Sequence, residues 1–257
     1  MFIQPQIVLI TGASAGMGAV MVRRFLAEGH RVIAAARRLD KLQELTQEFG
    51  EQVHALELDV RDRDAVGAAI QGLPAAWSAI DVLVNNAGLS LGLEPAHQAK
   101  LDDWEQMIDT NIKGVTYLTR AVLPGMVERN RGHIINIGSI TAEYAYPGSH
   151  VYGGTKAFLR QFSFGLRADL LGTAVRVTAF EPGITGGTEF SNVRFSGDDA
   201  KAAKVYDGLD PLRPEDIAET VSWIASRPAR VNINLISMMP VCQSFARPAL
   251  AKHTAKS

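Results

Sequence analysis

The chain has 257 residues, 47% of them hydrophobic and 21% charged, with a formal net charge of −1. That is the composition of a soluble globular protein with room for one large domain or two small ones, and near-neutrality without a block of like charges argues against nucleic acid or an anionic membrane as partner. Cys242, the single cysteine, has no partner for an internal disulfide; no run of about 18 apolar residues would span a bilayer; and residues 1–10 lack the charged and apolar regions of a signal peptide. The expected location is the cytoplasm.

In chain order, short apolar runs alternate with helix-period segments. Residues 6–11 predict a first strand and 17–28 an amphipathic helix closed by Gly29. Arg31–Ala36 predicts a second strand, and 41–49 a helix ended by Gly50. Residues 53–60 follow as a third strand, 62–73 as a helix stopped by Pro74, and 81–85 as a fourth strand. Residues 102–129 are long enough for the main crossover helix, with Pro124 marking a bend. A fifth strand over 133–138, a long helix over 148–171 and a sixth strand over 174–180 come next. Pro214–Ala225 then predicts a helix and 232–238 a seventh strand.

Strands that read as continuous apolar runs, separated by helices, imply a parallel sheet covered on both faces. The expected fold is a single Rossmann-like, doubly wound α/β domain with a parallel seven-stranded sheet. No linker, composition shift or repeat divides the chain. The irregular stretch 183–212 is expected to be a substrate lid, and 240–257 a C-terminal tail.

Between the first strand and first helix lies Thr11-Gly12-Ala13-Ser14-Ala15-Gly16-Met17-Gly18. Glycines there let backbone N–H groups approach a pyrophosphate and seat it at a helix N-terminus, so Gly12, Ser14, Ala15, Gly16, Met17 and Gly18 are candidate cofactor residues. The second strand ends in Arg37-Arg38. A carboxylate there would select NAD; two guanidiniums suit a 2′-phosphate, so the expected cofactor is NADP(H). Asp59 and Val60, at the end of the third strand, fall where an adenine edge would sit.

Tyr152 and Lys156 are four residues apart in the long helix, so their side chains leave one face about a turn apart. A phenol titrates near ~10, and an ammonium within a few ångströms favours the phenolate, making the tyrosine a usable acid and base. Hydride delivered to a carbonyl makes an alkoxide, which needs a proton and stabilisation at one oxygen. Tyr152 is expected to deliver the proton and Ser139, at the end of the fifth strand, to hydrogen-bond the same oxygen. Lys156 is expected to lower the tyrosine pKa and hold the nicotinamide ribose. Asn111 is expected to bend the long helix by bonding its own backbone, with a merely structural asparagine as the alternative. No metal site is expected.

These residues, with Asn85-Asn86-Ala87-Gly88 after the fourth strand and Pro182-Gly183 after the sixth, give the chain a pattern that resembles the short-chain dehydrogenases/reductases over about residues 6 to 240. The resemblance implies that Asn86, Ala87 and Gly88 line the adenine-ribose side and steady the central strand. It implies that Pro182 to Thr188 hold the carboxamide side, with Thr185 or Thr188 as the threonine usual beyond Pro182-Gly183. It also implies that Asn111 helps fix a water linking the lysine to solvent, and that the two long helices pair into a homo-oligomer, a dimer of dimers.

The stretch 181–195 and the segments Asn232-Ile233-Asn234 and Met238-Met239-Pro240-Val241 are similar to the NADP-dependent 3-hydroxy acid dehydrogenases, which act on serine and malonic semialdehyde. A small anionic hydroxy acid or its aldehyde is therefore the expected substrate. Arg194 is the natural partner for its acidic head group, the alternative being a surface arginine paired with Glu189, Asp198 or Asp199. Tyr144 and His150, between Ser139 and Tyr152, are expected to add hydrogen bonds around that anion. A sulfoacetaldehyde reductase forming isethionate is one alternative. A non-catalytic NADP(H) sensor is the other, disfavoured because serine, tyrosine and lysine are all present.

Overall fold

In a computed structural model that describes residues 5–245, the strands are β1 Ile7–Thr11, β2 Arg31–Ala36, β3 Val53–Glu57, β4 Val82–Asn85, β5 Gly132–Ile137, β6 Val175–Pro182 and β7 Leu235–Met238. They form one seven-stranded, all-parallel sheet in the order β3-β2-β1-β4-β5-β6-β7. The helices are α1 Gly16–Ala27, α2 Leu39–Phe49, α3 Arg63–Gln71, α4 Leu101–Ile108, α5 Gly114–Glu128, α6 His150–Asp169, α7 Phe190–Arg194, α8 Asp199–Lys204 and α9 Pro214–Ala225.

Alternation along each strand divides the core. Val8, Ile10, Val32 and Val84 pack against Met21 and Phe25 of α1 and Ile217, Val221 and Ile224 of α9. Leu9, Ile33, Leu83 and Ile134 pack on the opposite face, against Leu118, Val122 and Met126 of α5. Both faces are dry, which is why the strands read as unbroken apolar runs. Each such side chain contributes about 1.5–3 kcal/mol of burial.

The chain winds outward from β1 to β3, then returns to β4 on the far side of β1. At that reversal the carboxyl ends of β1 and β4 diverge and leave a crevice, the usual ligand position in such sheets.

Four local expectations are corrected. The crossover over 102–129 is two helices separated by a π-helical turn, Asp109–Lys113, while α5 continues through Pro124. The third strand stops at Glu57 instead of running to Val60. The seventh begins at Leu235, not Asn232, because the Asn232 side chain takes over the pairing: its Oδ1 accepts from Val177 N at 2.8 Å and its Nδ2 donates to Val177 O at 3.0 Å. The stretch expected to be irregular contains α7 and α8. The part of the expected tail beyond residue 245, and residues 1–4, lie outside the described residues.

His133 on β5 is 1% exposed, and burial holds its imidazole well below the usual 6.5, helped by the Arg176 charge. Thr178 Oγ1 donates to Ile233 O at 2.7 Å, so it accepts from His133 Nε2 at 2.8 Å, which makes the neutral ring the Nε2–H tautomer. Below about pH 6.5 the unfolded chain takes up a proton that native His133 refuses, so stability falls with falling pH by up to about 1.4 kcal/mol per unit for this group. Urea unfolding at pH 8 and pH 5.5 checks this: His133→Gln should shrink the acid-induced loss, and an unchanged loss would refute the assignment.

Candidate active site

Residues at the carboxyl ends of six strands, β1 to β6, meet at the crevice. Gly12 follows β1 with φ 66°, and α1 begins at Gly16. The α1 N-cap is Ala15, which supplies no side-chain acceptor, so the first-turn N–H groups are left for an anion. A Cβ on Gly18 would lie 2.1 Å from Gly12 O, so only glycine lets the turn close this tightly. A cleft of about 350 Å³ opens over the turn. Its walls include Ser14, Arg37, Arg38, Asp59, Val60 and Ala87. Ample backbone donors and two guanidiniums make this cradle fit a dinucleotide with a 2′-phosphate.

Arg38 is already engaged. Its Nε donates to Ser14 Oγ at 3.2 Å, and its two terminal nitrogens reach Glu189 at 3.2 and 3.0 Å. The pair is exposed, so it is a weak clasp. Asp59 is paired with Arg61 at 2.6 Å, and that hydrogen bond holds its carboxyl below the usual range.

A second cleft, about 360 Å³, contains Ser139, Tyr152, Lys156, Tyr144 and Arg194. Met17, Gly88, Thr188 and Phe190 line both clefts, so the two form one channel. Tyr152 is 7% exposed, and burial pushes its phenol up to about 12; a hydrogen bond with Ser139 and the Arg194 charge pull the other way. Lys156 Nζ donates to Ile137 O at 2.9 Å and lies 5.7 Å from the Tyr152 ring centroid. Burial brings its ammonium down to about 8, opposed by the Glu181 carboxylate. The tyrosine's counter-pull thus comes from Ser139 and Arg194, where the sequence pointed to Lys156.

Asn111 sits in the π-helical turn and does not bond its own backbone. Its Nδ2 donates to Leu89 O at 2.8 Å and Thr155 Oγ1 at 3.0 Å, and its Oδ1 accepts from Leu89 N at 2.9 Å. It ties the loop after β4 to α6. A Cβ on Gly88 would be 3.3 Å from Asn111 Oδ1 and 3.4 Å from Lys156 Nζ, so both groups surround one glycine.

Arg194 is not the alternative surface arginine: among the described residues it forms no ion pair, and its Nε is buried without a hydrogen-bond partner. Its guanidinium carbon lies 4.9 Å from the Phe190 ring centroid and 5.8 Å from that of Tyr152. His150 is a correction. It is exposed and outside the cleft, because its Nε2 is drawn to Glu94 O at 3.1 Å and its ring packs edge-on against Trp104. Thr188 lies over the glycine turn, its Cβ 3.2 Å from where a Cβ on Gly16 would be. Thr185 lines the second cleft, hydrogen-bonding Gly183 O at 3.2 Å.

Several residues escaped the sequence reading. Tyr206 Oη donates to Thr185 O at 3.1 Å and therefore accepts from Ser191 Oγ at 2.8 Å, which pins α7 and α8 over the cleft. Gln243 Oε1 accepts from Ile184 N at 2.8 Å and brings the C-terminal segment onto the same wall. Nothing in their spacing signals this.

The model of the short chain dehydrogenase family matches residues 6–198. The chain is 63% identical over 240 residues to the NADP-dependent 3-hydroxy acid dehydrogenase YdfG of Salmonella typhi, covering 93% of this chain and 97% of that one. It is 48% identical to the serine 3-dehydrogenase of Rhizobium radiobacter over 239 residues, 93% of this chain and 95% of that one. Among solved structures, the closed form of serine dehydrogenase complexed with NADP+ matches with a TM-score of 0.95 and 59% identity, covering 96% of this chain and 100% of that chain.

Gly18→Ala should lower the melting temperature and abolish nucleotide binding, because the added methyl meets the Gly12 carbonyl. Gly67→Ala on α3, where a Cβ meets nothing within 4 Å, should stabilise the protein by about 0.5–1 kcal/mol. Thermal melts of both variants check the contrast, and equal effects would contradict it.

Proposed function

The chain belongs to the short chain dehydrogenase family, and on that premise we propose that it is an NADP(H)-dependent oxidoreductase interconverting a small anionic 3-hydroxy acid and its carbonyl counterpart. The observation that carries the reading is Arg194, a cation with a buried, unpartnered Nε, in one cleft with Ser139 and Tyr152. The names of the relatives support the cofactor and the substrate class.

In this reading the glycine turn and the α1 N-terminus hold the pyrophosphate, with Thr188 above it, and Arg37 and Arg38 hold the 2′-phosphate. Asp59 and Val60 flank the adenine, and Asn86 to Gly88 the ribose. Pro182, Gly183 and Thr185 border the nicotinamide, which when bound supplies or accepts the hydride. Tyr152, kept protonated at neutral pH by burial, gives its proton to the substrate oxygen. Ser139 hydrogen-bonds that oxygen. Lys156, with one donor spent on Ile137 O, holds ribose hydroxyls with the others. Arg194 binds the acid group, with Tyr144 on the facing wall. Residues 183–212 form the lid.

We also read the protein as a cytoplasmic homo-oligomer. Among the described residues no helix is long and apolar enough to cross a membrane. One cysteine suits a reducing compartment, and exposed Leu101, Ile108 and Phe164 on α4 and α6 favour self-association.

The test is turnover of serine, 3-hydroxypropionate, malonic semialdehyde, isethionate and sulfoacetaldehyde with NADP(H) and NAD(H). Turnover of the carboxylates with NADP(H) is expected; preference for neutral apolar carbonyls, or for NAD(H), would overturn the reading. Tyr152→Phe should cut kcat by roughly 10²–10⁴-fold with NADPH affinity retained, as measured by fluorescence titration. Arg194→Ala should raise KM for charged substrates by roughly ten- to a hundredfold, from the ~1.5–3 kcal/mol of a hydrogen bond to a charged group. KM for a neutral aldehyde of similar size should barely move; equal damage to both would make Arg194 a lid support instead.

A further inference from the structure

Behind the catalytic residues lies a second set of charges that the proposed chemistry does not use. Glu181, which precedes Pro182 at the end of β6, is 0% exposed. A buried carboxylate needs a neighbouring cation to stay ionised, and Glu181 has two: Arg160, bound to it directly, and Lys156, one turn earlier on α6, which remains when Arg160 is removed. Arg160 Nε donates to Glu181 Oε1 at 2.7 Å and Nη2 to Oε2 at 2.5 Å, a two-pronged fork. Nη2 also reaches Glu143 Oε2 at 3.1 Å, and Glu143 adjoins Tyr144 on the wall of the substrate cleft.

Tyr152, Lys156 and Arg160 recur every fourth residue on α6, so phenol, ammonium and guanidinium form one row. Glu181 faces that row from β6 and packs against the turn that carries Ser139: a Cβ on Gly138 would lie 2.9 Å from its Cγ. We propose that Arg160 and Glu181 are a positioning pair for the active site, in which Glu181 supplies the negative charge opposite Lys156. Arg160 both restrains that carboxylate and tethers the Glu143–Tyr144 wall.

The groups around Lys156 make the assignment specific. Its own helix contributes Tyr152 and Arg160, neither of them anionic at neutral pH. The end of β5 contributes only the Ile137 carbonyl. The loop after β4 and the π-helical turn contribute Gly88 and uncharged Asn111. Arg194 of α7 lies near Tyr152. Glu181 is the carboxylate that offsets burial at Lys156. Stability alone does not account for such a pair, since buried ion pairs are often matched or exceeded by apolar replacements.

The consequence for turnover rests on the oxidoreductase reading; the charge relation does not, so it is tested in protein without cofactor. Lysine labelled with ¹³C at Cε is titrated by NMR, with Lys156→Met to assign the signal. Glu181→Gln should lower the Lys156 midpoint, and Arg160→Gln should raise it, each by about one pH unit, since the first removes an opposite charge and the second a like charge. Arg160→Lys should restore the wild-type midpoint. Opposite shifts are a signature that loss of packing cannot produce. Midpoints that stay put, or that move together in both variants, would overturn the proposal, and either variant alone decides the sign if the other fails to fold. The alkaline limb of kcat/KM should move with the midpoint. A wild type inactive on every hydroxy acid would overturn the functional reading and leave the titration to decide the pair.

Discussion

Thr11 joins the ends of β1 and β4 at the point where the sheet reverses direction. Its Oγ1 donates to Val84 O at 3.4 Å and accepts from Asn86 N at 3.0 Å and Ala87 N at 2.9 Å, using its full hydrogen-bonding capacity. Asn86 Nδ2 returns a bond to Thr11 O at 2.8 Å. The glycine turn and the loop carrying Gly88 are thereby locked together, and both clefts share that junction. One hydroxyl thus satisfies three backbone groups at once and ties the two strand ends together.

Beyond that junction, the wall that carries Tyr152 and Lys156 is set by burial more than by neighbouring charge. The dry environment of α6 raises the Tyr152 phenol and lowers the Lys156 ammonium, and each shift follows from disfavouring the ionised form. Arg194 pulls on the tyrosine and Glu181 on the lysine, each against the larger effect of burial.

The segment 183–212, proposed above as the lid, is held by weaker, mostly polar ties. Arg194 O accepts from Gly92 N at 3.0 Å, Tyr206 links Ser191 to Thr185, and Arg38 clasps Glu189. Arg38, proposed above to hold the 2′-phosphate, is in this structure also the residue that contacts Glu189.

Period and motif alone determined the parallel sheet, the helices other than the divided crossover and α7 and α8, the glycine turn, Arg37-Arg38 and the Tyr152–Lys156 spacing, because each depends on contacts within a few residues or on runs buried on both faces. Arg160 was within reach of the same four-residue count, but its partner Glu181 was not, since β6 and α6 meet only in the folded sheet. Tertiary structure decided the rest. It turned His150 outward to Glu94 and Trp104, gave Asn111 the Leu89 backbone in place of its own, and replaced the start of β7 with an asparagine side chain. It also brought Tyr206 and Gln243 to the wall of the cleft that holds Tyr152. A polar side chain bonds whichever donor or acceptor packing brings within about 3 Å, and that proximity is a property of the assembled layers.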